Sequence, residues 1–571
     1  MRHNRVFAVL LLLMCLQISA PAQAAKHHAA AKTRAVERKP DLAEKINAIL
    51  SQPQFAKAHW GIDAVDLATG KAIYTLNQDQ LFVPASNMKL VTTAAVLAAA
   101  GPDYRFHTTV ETIGKIDANG KLQGDLIIVG RGDPNISGRV MPYQLKGERI
   151  PPHTQVLEEM ADQVARSGLK VVSGDVLGDD TFYAPERLGE GWAQDDLQWI
   201  DAAPVSALAF NDDVAFIDIQ PGAQAGDKAL IIPETEGSYY EFDNRIVTTA
   251  ANVTRKIGIH REPGSSKVLL WGWIPVGDLG MKEALAVDDP AAYTALLFRA
   301  MLERRGIHVT GTTHALHADM AQFFDMPTAQ VRNQNGVGGG ATPAHTNGAL
   351  QVLPATPSSA TTSTNSSTTT PTPMANPTPT PQVLAEHISL PLIEDVKVIN
   401  KVSQNLHAEM ALRLVGKLSG LGASFEGGAA AVKNFLVEAG VKNDEFVSLD
   451  GSGLSRRDLI TPSAMVQLLT YASHQPWGPA YEESLPLSGV DGSLAERFVN
   501  TPAGGLVHAK TGSLSHVNAL SGYGQTQQGR KFVFSVFCNN HNLPSGKVLA
   551  TIDAIVQLLV KEGDATVASR H

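Results

Sequence analysis

The chain has little cysteine and no excess of positive charge. Cysteine occurs twice in 571 residues, at Cys15 and Cys538, which excludes a small domain held together by disulfides. Lys and Arg total 47 against 56 Asp and Glu, giving a formal net charge of −9. Because phosphate binding requires a positive field, we expect no nucleic-acid partner.

Long apolar runs are also scarce. After residue 24 no stretch is long and apolar enough to cross a membrane, which takes ~20 residues. Residues 1–24 begin with Arg2 and Arg5, continue through an apolar run at 6–18 and end in small residues, as a cleaved export signal does. A retained anchor helix is the alternative. We therefore predict an exported protein, for which loose membrane association stays open.

Charged side chains are missing between Arg332 and Glu386, where Thr, Ser, Pro, Gly and Asn dominate. Such a composition buries too little apolar surface to offset the entropy of ordering the chain. We predict that residues 333–383 form a disordered insertion of unassigned role. A glycosylated stalk and a threonine-rich strand repeat are the alternatives. Residues 25–40 are predicted to be a flexible basic lead-in.

The remaining length suggests two to four domains of mixed α and β structure. Alternating patterns predict strands, and helical spacing of apolar residues predicts helices. The predicted strands are 59–66, 71–76, 124–130, 171–176, 505–510, 519–523 and 530–538. The predicted helices are 85–100, 407–418, 429–439 and 548–560, the last of which should pack on a sheet.

Three short motifs occur in an informative order. Ser86-Asn87-Met88-Lys89 opens the first helix, Ser403-Gln404-Asn405 precedes the second, and Lys510-Thr511-Gly512 ends a strand. A Ser three residues before a Lys is weak evidence alone, because a helix N-cap followed by an exposed lysine looks the same. All three together match the pattern of serine acyl-transferring enzymes.

The spacing explains how a serine becomes reactive. Residues three apart on a helix share a face, so Lys89 can accept the proton of Ser86. The lysine pKa must then fall from ~10.4 towards 7–8, through burial and a second cation, for which Lys510 is the candidate.

The other motif residues have predicted roles in the same reaction. Ser403 would relay a proton to the departing amine, and Asn405 would hold the substrate amide and the lysine in register. Thr511, Gly512 and Ser513 are the predicted substrate-binding residues of the strand, with Thr511 on the terminal carboxylate. Backbone N–H groups of Ser86 and Ser513 would form the oxyanion hole.

Longer strings point to one family. NKVSQNLHAE at 400–409, LDGSGLSR at 449–456, LPLSGVDGSL at 485–494 and HAKTGSL at 508–514 resemble the class C low-molecular-mass penicillin-binding proteins. These are the D-alanyl-D-alanine carboxypeptidase/endopeptidases of the bacterial cell wall. The resemblance implies an α/β multidomain protein whose serine β-lactamase/transpeptidase-like catalytic domain, an antiparallel sheet with helices, is interrupted by two nested, mainly β domains.

The implied division of the chain follows from that architecture. The catalytic domain is expected at 41–103 and 384–571, the second domain at 104–185 and 290–332, and the third at 186–289. Ser86 and Ser403 are 317 residues apart, which leaves room for both domains and argues against a β-lactamase of ordinary size.

The resemblance also implies substrate, inhibitor and further cleft residues. Asp179 would bind the amino end of the diaminopimelate side chain, with Asp180 as the competing choice and a surface turn as the alternative for either. Ser455 and Arg456 are expected near the cleft. Peptidoglycan peptides would be the substrates, β-lactams covalent inhibitors and the periplasm the location. No metal or cofactor is expected; a non-catalytic murein-binding protein is the remaining alternative.

Overall fold

A computed structural model of the chain describes residues 40–143, 153–235, 239–320 and 380–568. The predicted signal segment lies outside the described residues, as do the lead-in up to residue 39 and most of the predicted insertion, at 333–379. Among the described residues no helix has the length and apolar character needed to span a membrane.

The helices of the described residues are numbered in chain order. They are α1 Leu42–Leu50, α2 Met88–Ala100, α3 Gln155–Arg166, α4 Pro290–Arg304, α5 Leu392–Lys397, α6 Asn405–Leu418, α7 Phe425–Glu438, α8 Pro462–Ser473, α9 Gly478–Ser484 and α10 Ser545–Ala568.

The strands of the same residues are numbered likewise. They are β1 His59–Asp66, β2 Ala72–Leu76, β3 His107–Thr112, β4 Lys115–Ile116, β5 Lys121–Gln123, β6 Leu126–Val129, β7 Val171–Val172, β8 Val176–Asp179, β9 Val214–Gln220, β10 Leu230–Pro233, β11 Glu241–Thr249, β12 Lys256–Arg261, β13 Lys267–Pro275, β14 Met281–Ala286, β15 His308–Val309, β16 Thr313–Leu316, β17 Gln382–Ile388, β18 Phe446–Val447, β19 Leu459–Ile460, β20 Val507–Leu514, β21 Val517–Gln525 and β22 Lys531–Asn539.

The two ends of the described chain build one antiparallel sheet in the order β2-β1-β22-β21-β20. Its strands alternate between two cores because successive side chains of a strand point to opposite faces. Val533 and Phe537 of β22 pack in the core that contains α2 and α8, whereas Phe534 and Val536 pack against α1 and α10. The sheet is therefore covered by helices on both faces.

Helix α10 packs on this sheet as predicted from its apolar stripe. Val548, Ile552, Ile555 and Leu559 are fully buried. Each such side chain stabilises the fold by about 1.5–3 kcal/mol relative to an exposed one.

The chain between α2 and α5 forms separate sheets. Strands β3, β6, β8, β16 and β17 make one five-stranded sheet, and β4, β5, β7 and β15 make a four-stranded sheet. Residues 214–286 form two three-stranded sheets of their own. One continuous core contains buried residues of these sheets together with those of α3 and α4.

The pairing of β17 differs from the predicted boundary between the insertion and the catalytic part. The catalytic part was expected to resume at 384, but β17 at Gln382–Ile388 pairs antiparallel with β3 of the inserted sheet. Val383, which we had placed in the disordered insertion, is part of this strand. The chain returns to the catalytic part only after residue 388.

Two predicted strands have different bounds in the structure. Residues 171–176 form parts of two strands, because β7 pairs with β5 in one sheet and β8 pairs with β6 in another. The strand predicted to end at Lys510 runs to Leu514, so the Lys510-Thr511-Gly512 motif lies inside β20 and not at its end.

Candidate active site

The turn that presents Ser86 lies between β20 and a loop of the catalytic part. Residues Ala85–Asn87 form one 3₁₀ turn directly before α2. A side chain on Gly512 would lie 2.6 Å from the Pro84 carbonyl oxygen, and one on Gly453 would lie 1.8 Å from that of Ala85. Both glycines are therefore needed for the close packing that fixes the turn.

Lys89 lies on the first turn of α2, facing Ser86. Its Nζ is 3.0 Å from Ser86 Oγ, 2.6 Å from Asn405 Oδ1 and 2.8 Å from the carbonyl oxygen of Ser452. The amine is fully buried. The proton of Ser86 thus has an acceptor within hydrogen-bond reach, as the three-residue spacing predicts.

The Ser403-Gln404-Asn405 motif joins the same site from the start of α6. Ser403 is held in a left-handed conformation, with φ 69°. Its Oγ accepts a hydrogen bond from Lys510 Nζ at 2.8 Å, and Asn405 accepts one from Lys89. The structure therefore brings together Ser86, Lys89, Ser403, Asn405 and Lys510.

Strand β20 supplies the opposite side of the cleft and is an edge strand of its sheet. Thr511 Oγ1 lies 2.8 Å from Ser493 Oγ, and Ser513 Oγ accepts a hydrogen bond from Asn518 Nδ2. Ser513 is exposed at the cleft, whereas Gly512 is buried against the Ser86 turn.

Burial changes the pKa of both lysines. It lowers the pKa of Lys89 to about 8, against the opposing effect of Asp450, Glu409 and Asp201. Burial also lowers the pKa of Lys510 well below its ordinary value, and the nearby charge of Lys89 lowers it further. We expected burial and the charge of Lys510 to lower the pKa of Lys89: burial is the dominant cause, whereas the charge effect between the two amines lowers the pKa of Lys510.

Two buried acids behind Lys89 were not identified from the sequence. Glu409 accepts hydrogen bonds from the backbone of Gly451 and Ser452, and burial, then the charge of Asp450, raises its pKa to about 7. Asp450 accepts from the backbone N–H groups of Gly453 and Ser455. Together they shape the loop whose Ser452 carbonyl binds Lys89. Both lie in the strings NLHAE and LDGSGLSR, so those strings were the available signal.

A cavity of about 560 Å³ opens in front of Ser86. It is lined by Ser403, Asn405, Arg456 and Ser513 and, from the inserted chain, by three acids. The acids are Asp195, Asp196 and Asp201. The Arg456 guanidinium donates to the carbonyl oxygen of Ser515 on the turn after β20. The cavity thus presents carboxylates beside the reactive serine.

Three residues that the sequence analysis considered for the cleft do not line the cavity: Asp179, its alternative Asp180, and Ser455. Asp179 is not part of the cavity lining; its carboxylate accepts from the backbone of Thr181. Asp180 is buried between His317 and Ser206. Ser455 is fully buried, with its hydroxyl accepting from the Arg457 backbone. The acids that reach the cleft come from residues 195–201, a segment that matches none of the motifs found in the sequence.

Comparison with known proteins agrees with this geometry. A family model, D-Ala-D-Ala carboxypeptidase 3 (S13) family, matches residues 42–322 and 366–561. The D-alanyl-D-alanine carboxypeptidase of Actinomadura sp. (strain R39) is 33% identical over 535 residues, which cover 92% of this chain and 85% of that protein. The D-alanyl-D-alanine carboxypeptidase DacB of Haemophilus influenzae is 24% identical over 84% of this chain and 85% of its own.

The fold is also that of a solved relative. The crystal structure of penicillin binding protein 4 (dacB) from Haemophilus influenzae superposes with a TM-score of 0.69 at 22% identity, covering 90% of this chain and 99% of that one. The family model matches more than half of the chain, and Ser86, both lysines and the Ser-x-Asn motif meet in one cleft. The chain belongs to the D-Ala-D-Ala carboxypeptidase 3 (S13) family.

Proposed function

We propose that Ser86 is the nucleophile of a D-alanyl-D-alanine carboxypeptidase/endopeptidase acting on peptidoglycan stem peptides. Ser86 Oγ attacks the carbonyl carbon of the penultimate D-alanine while Lys89 takes its proton. The C–N bond then breaks, and the proton taken up by Lys89 is delivered to the departing amine by way of Ser403, whose Oγ is hydrogen-bonded to Lys510. Water hydrolyses the resulting ester, which restores the Ser86 hydroxyl and releases the acid.

One observation supports this role above the others. The 3.0 Å contact between Lys89 Nζ and Ser86 Oγ joins a serine at the cavity surface to a fully buried amine. An amine whose pKa is about 8 is a competent base near neutral pH, because a substantial fraction carries no proton.

The oxyanion and the substrate ends have proposed partners in and beside the same cavity. Backbone N–H groups of Ser86 and Ser513 would stabilise the developing oxyanion, a contact typically contributing ~3 kcal/mol per donor. Thr511, with Gly512 beside it, would bind the terminal carboxylate at the edge of β20. Asp196, partly buried in the cavity wall, takes the role that we had assigned to Asp179: it would bind the amino group of a cationic side chain.

The proposed setting follows from the chemistry. Cell-wall peptides lie outside the cytoplasm, so the segment at 1–24 is proposed to direct export to the periplasm. β-Lactams carry a strained amide and would acylate Ser86 as the peptide does. Cleavage between crosslinked stems uses the same attack, with diaminopimelate in place of the leaving D-alanine.

Digestion of purified muropeptides tests the proposal. Wild type should release D-alanine from pentapeptides and split crosslinked dimers, whereas Ser86→Ala should do neither. Ser473→Ala is a matched control because its hydroxyl is bound to Thr470 at the end of α8, outside the cavity lining. Equal product release by wild type and Ser86→Ala would contradict the assignment.

A further inference from the structure

The Ser403-Gln404-Asn405 motif is held by side chains and backbone of the inserted chain as well as by the catalytic lysines. Asn405 Nδ2 donates to the carbonyl oxygen of Asp201 at 2.7 Å while its Oδ1 accepts from Lys89. Gln404 Nε2 donates to Asp212 Oδ2 at 2.9 Å. Asp201 and Asp212 both lie between β8 and β9, in the residues inserted between α2 and α6. The catalytic motif is therefore completed across the boundary of the insertion.

Asp212 occupies an unusual turn. Asn211, Asp212 and Asp213 have φ angles of 57°, 60° and 54°, three successive left-handed residues without a glycine. All three are buried. Such a conformation persists only where the surroundings determine it, and it clusters at functional sites. Here Asp213 Oδ1 accepts from the Phe210 backbone N–H, and the Asn211 backbone N–H donates to the Ile136 carbonyl oxygen.

Three cationic or polar groups converge on the Asp212 carboxylate. Arg139 forms an ion pair with it, Gln404 donates to it, and His407 Nε2 lies 3.3 Å from its Oδ1. The other ring nitrogen of His407 lies 2.7 Å from Asp395 Oδ1. Both ring nitrogens face carboxylate oxygens, so both are placed to donate hydrogen bonds.

The ionisation of this cluster follows from its charges. Burial lowers the pKa of His407, but Asp395 and Asp212 outweigh it and raise the pKa above its ordinary value. Charged His407 and Arg139 then balance the two carboxylates. A buried carboxylate anchored in this way is rigid, because moving it would break its ion pair with Arg139 and its contacts with Gln404 and His407.

We propose that Asp212 is a positioning residue for the reaction: anchored by Arg139 and His407, it orients Gln404 and thereby holds Ser403 and Asn405 against the two lysines. The link is short, since Gln404 stands between the two motif residues. Gln404 Oε1 also accepts the Leu406 backbone N–H, so one side chain ties the start of α6 to the inserted turn. Loss of Asp212 should misplace Ser403 and Asn405 without changing the substrate-binding surface. The inference rests on the roles proposed above for those two residues.

A double-mutant cycle tests the connection. Asp212→Asn, Gln404→Ala and the double variant are compared by kcat and KM on a peptide ending in D-alanyl-D-alanine and by the acylation rate with a fluorescent penicillin. Each single variant should lose about tenfold or more in kcat and in acylation rate, with KM changed by less than about twofold. The double variant should be no slower than the slower single variant, because both changes remove the same contact.

A rescue and a control separate positioning from folding. Asp212→Asn combined with Gln404→Glu reverses the polarity of the hydrogen bond, returns a carboxylate to the cluster, and should recover much of the lost rate. Asp213→Asn alters the same buried turn at a carboxylate that bonds to the Phe210 backbone. It should lower the melting temperature without the loss in kcat.

The outcomes decide the inference independently of the proposed function. Wild-type rates in folded Asp212→Asn, or losses that multiply in the double variant, would overturn the inference while acylation of wild type by penicillin still stands. Should Asp212→Asn not fold, Gln404→Ala decides: a reduced kcat supports the inference and a wild-type kcat overturns it. A wild type that is not acylated would instead refute the proposed function.

Discussion

The two sides of the cleft each carry one buried lysine, but in opposite electrostatic surroundings. On the helix side, Lys89 has acceptors in Ser86, Asn405 and the Ser452 carbonyl, with Glu409 and Asp450 nearby. On the strand side, Lys510 bonds to Ser403 and the Thr511 carbonyl, and the charge acting on it is that of Lys89.

The different surroundings give the two amines different pKa values and therefore different protonation states near neutral pH. Carboxylates behind Lys89 partly offset its burial, so its pKa stays at about 8 and it can both accept and release a proton near neutral pH. Lys510 lacks that support and is driven towards the neutral form. Equal burial thus gives the two lysines different proton affinities because the neighbouring charges differ.

Removing the amine on the helix side should have the largest effect. Lys89→Met keeps the side-chain volume but removes the base, and should slow acylation of Ser86 by ~10²–10⁴-fold, the range typical of general-base catalysis. Lys510→Met should slow it less, because the Ser86–Lys89 contact remains. Stopped-flow acylation with a fluorescent penicillin measures both; equal losses would contradict the difference between the two sides.

The second-largest expected effect is the dependence of the acylation rate on pH. Only neutral Lys89 accepts the Ser86 proton, so the rate should rise with pH, about tenfold per unit below the lysine pKa, and level off above about 8. Glu409→Gln removes a charge that raises the Lys89 pKa, so the midpoint should shift to lower pH. Glu445→Gln, whose partner is the exposed Lys442, serves as control and should leave the midpoint in place. A midpoint that moves upward in Glu409→Gln would contradict this account of Lys89.

The smallest expected effect concerns the acids at the cavity wall. Asp196→Asn should raise KM for a peptide with a free diaminopimelate amino group by about five- to tenfold, as loss of one charge pair does. Acylation by a penicillin without that amino group should not change. Asp179→Asn, outside the cavity lining, is the matched control. A KM increase in Asp179→Asn and not in Asp196→Asn would restore the original assignment.

The sequence predicted that the residues of the three motifs lie together because each motif has a local physical basis. A three-residue spacing on a helix sets the Ser86–Lys89 contact, and short apolar runs bounded by turn residues identified the central strands of the sheet. The extension of β20 through Gly512 was missed because glycine usually weakens a strand, whereas here it admits the Ser86 turn.

Contacts between segments that are distant in the chain could not be predicted from the sequence. Nothing local distinguishes Asp196 from Asp179 as the acid that enters the cleft, since that depends on how the loop before β9 folds over the catalytic part. The bond between Gln404 and Asp212 joins residues 192 apart. Strand β17 pairs with β3 across an even longer separation, which a composition-based boundary cannot detect.

Mass spectrometry of the penicillin-treated protein tests the central claim most directly. We predict that folded wild type gains the mass of one intact penicillin, that the adduct maps to the peptide containing Ser86, and that it persists after free drug is removed. Ser86→Ala should gain nothing. An unmodified Ser86 in folded wild type, or an adduct on another serine, would contradict the account.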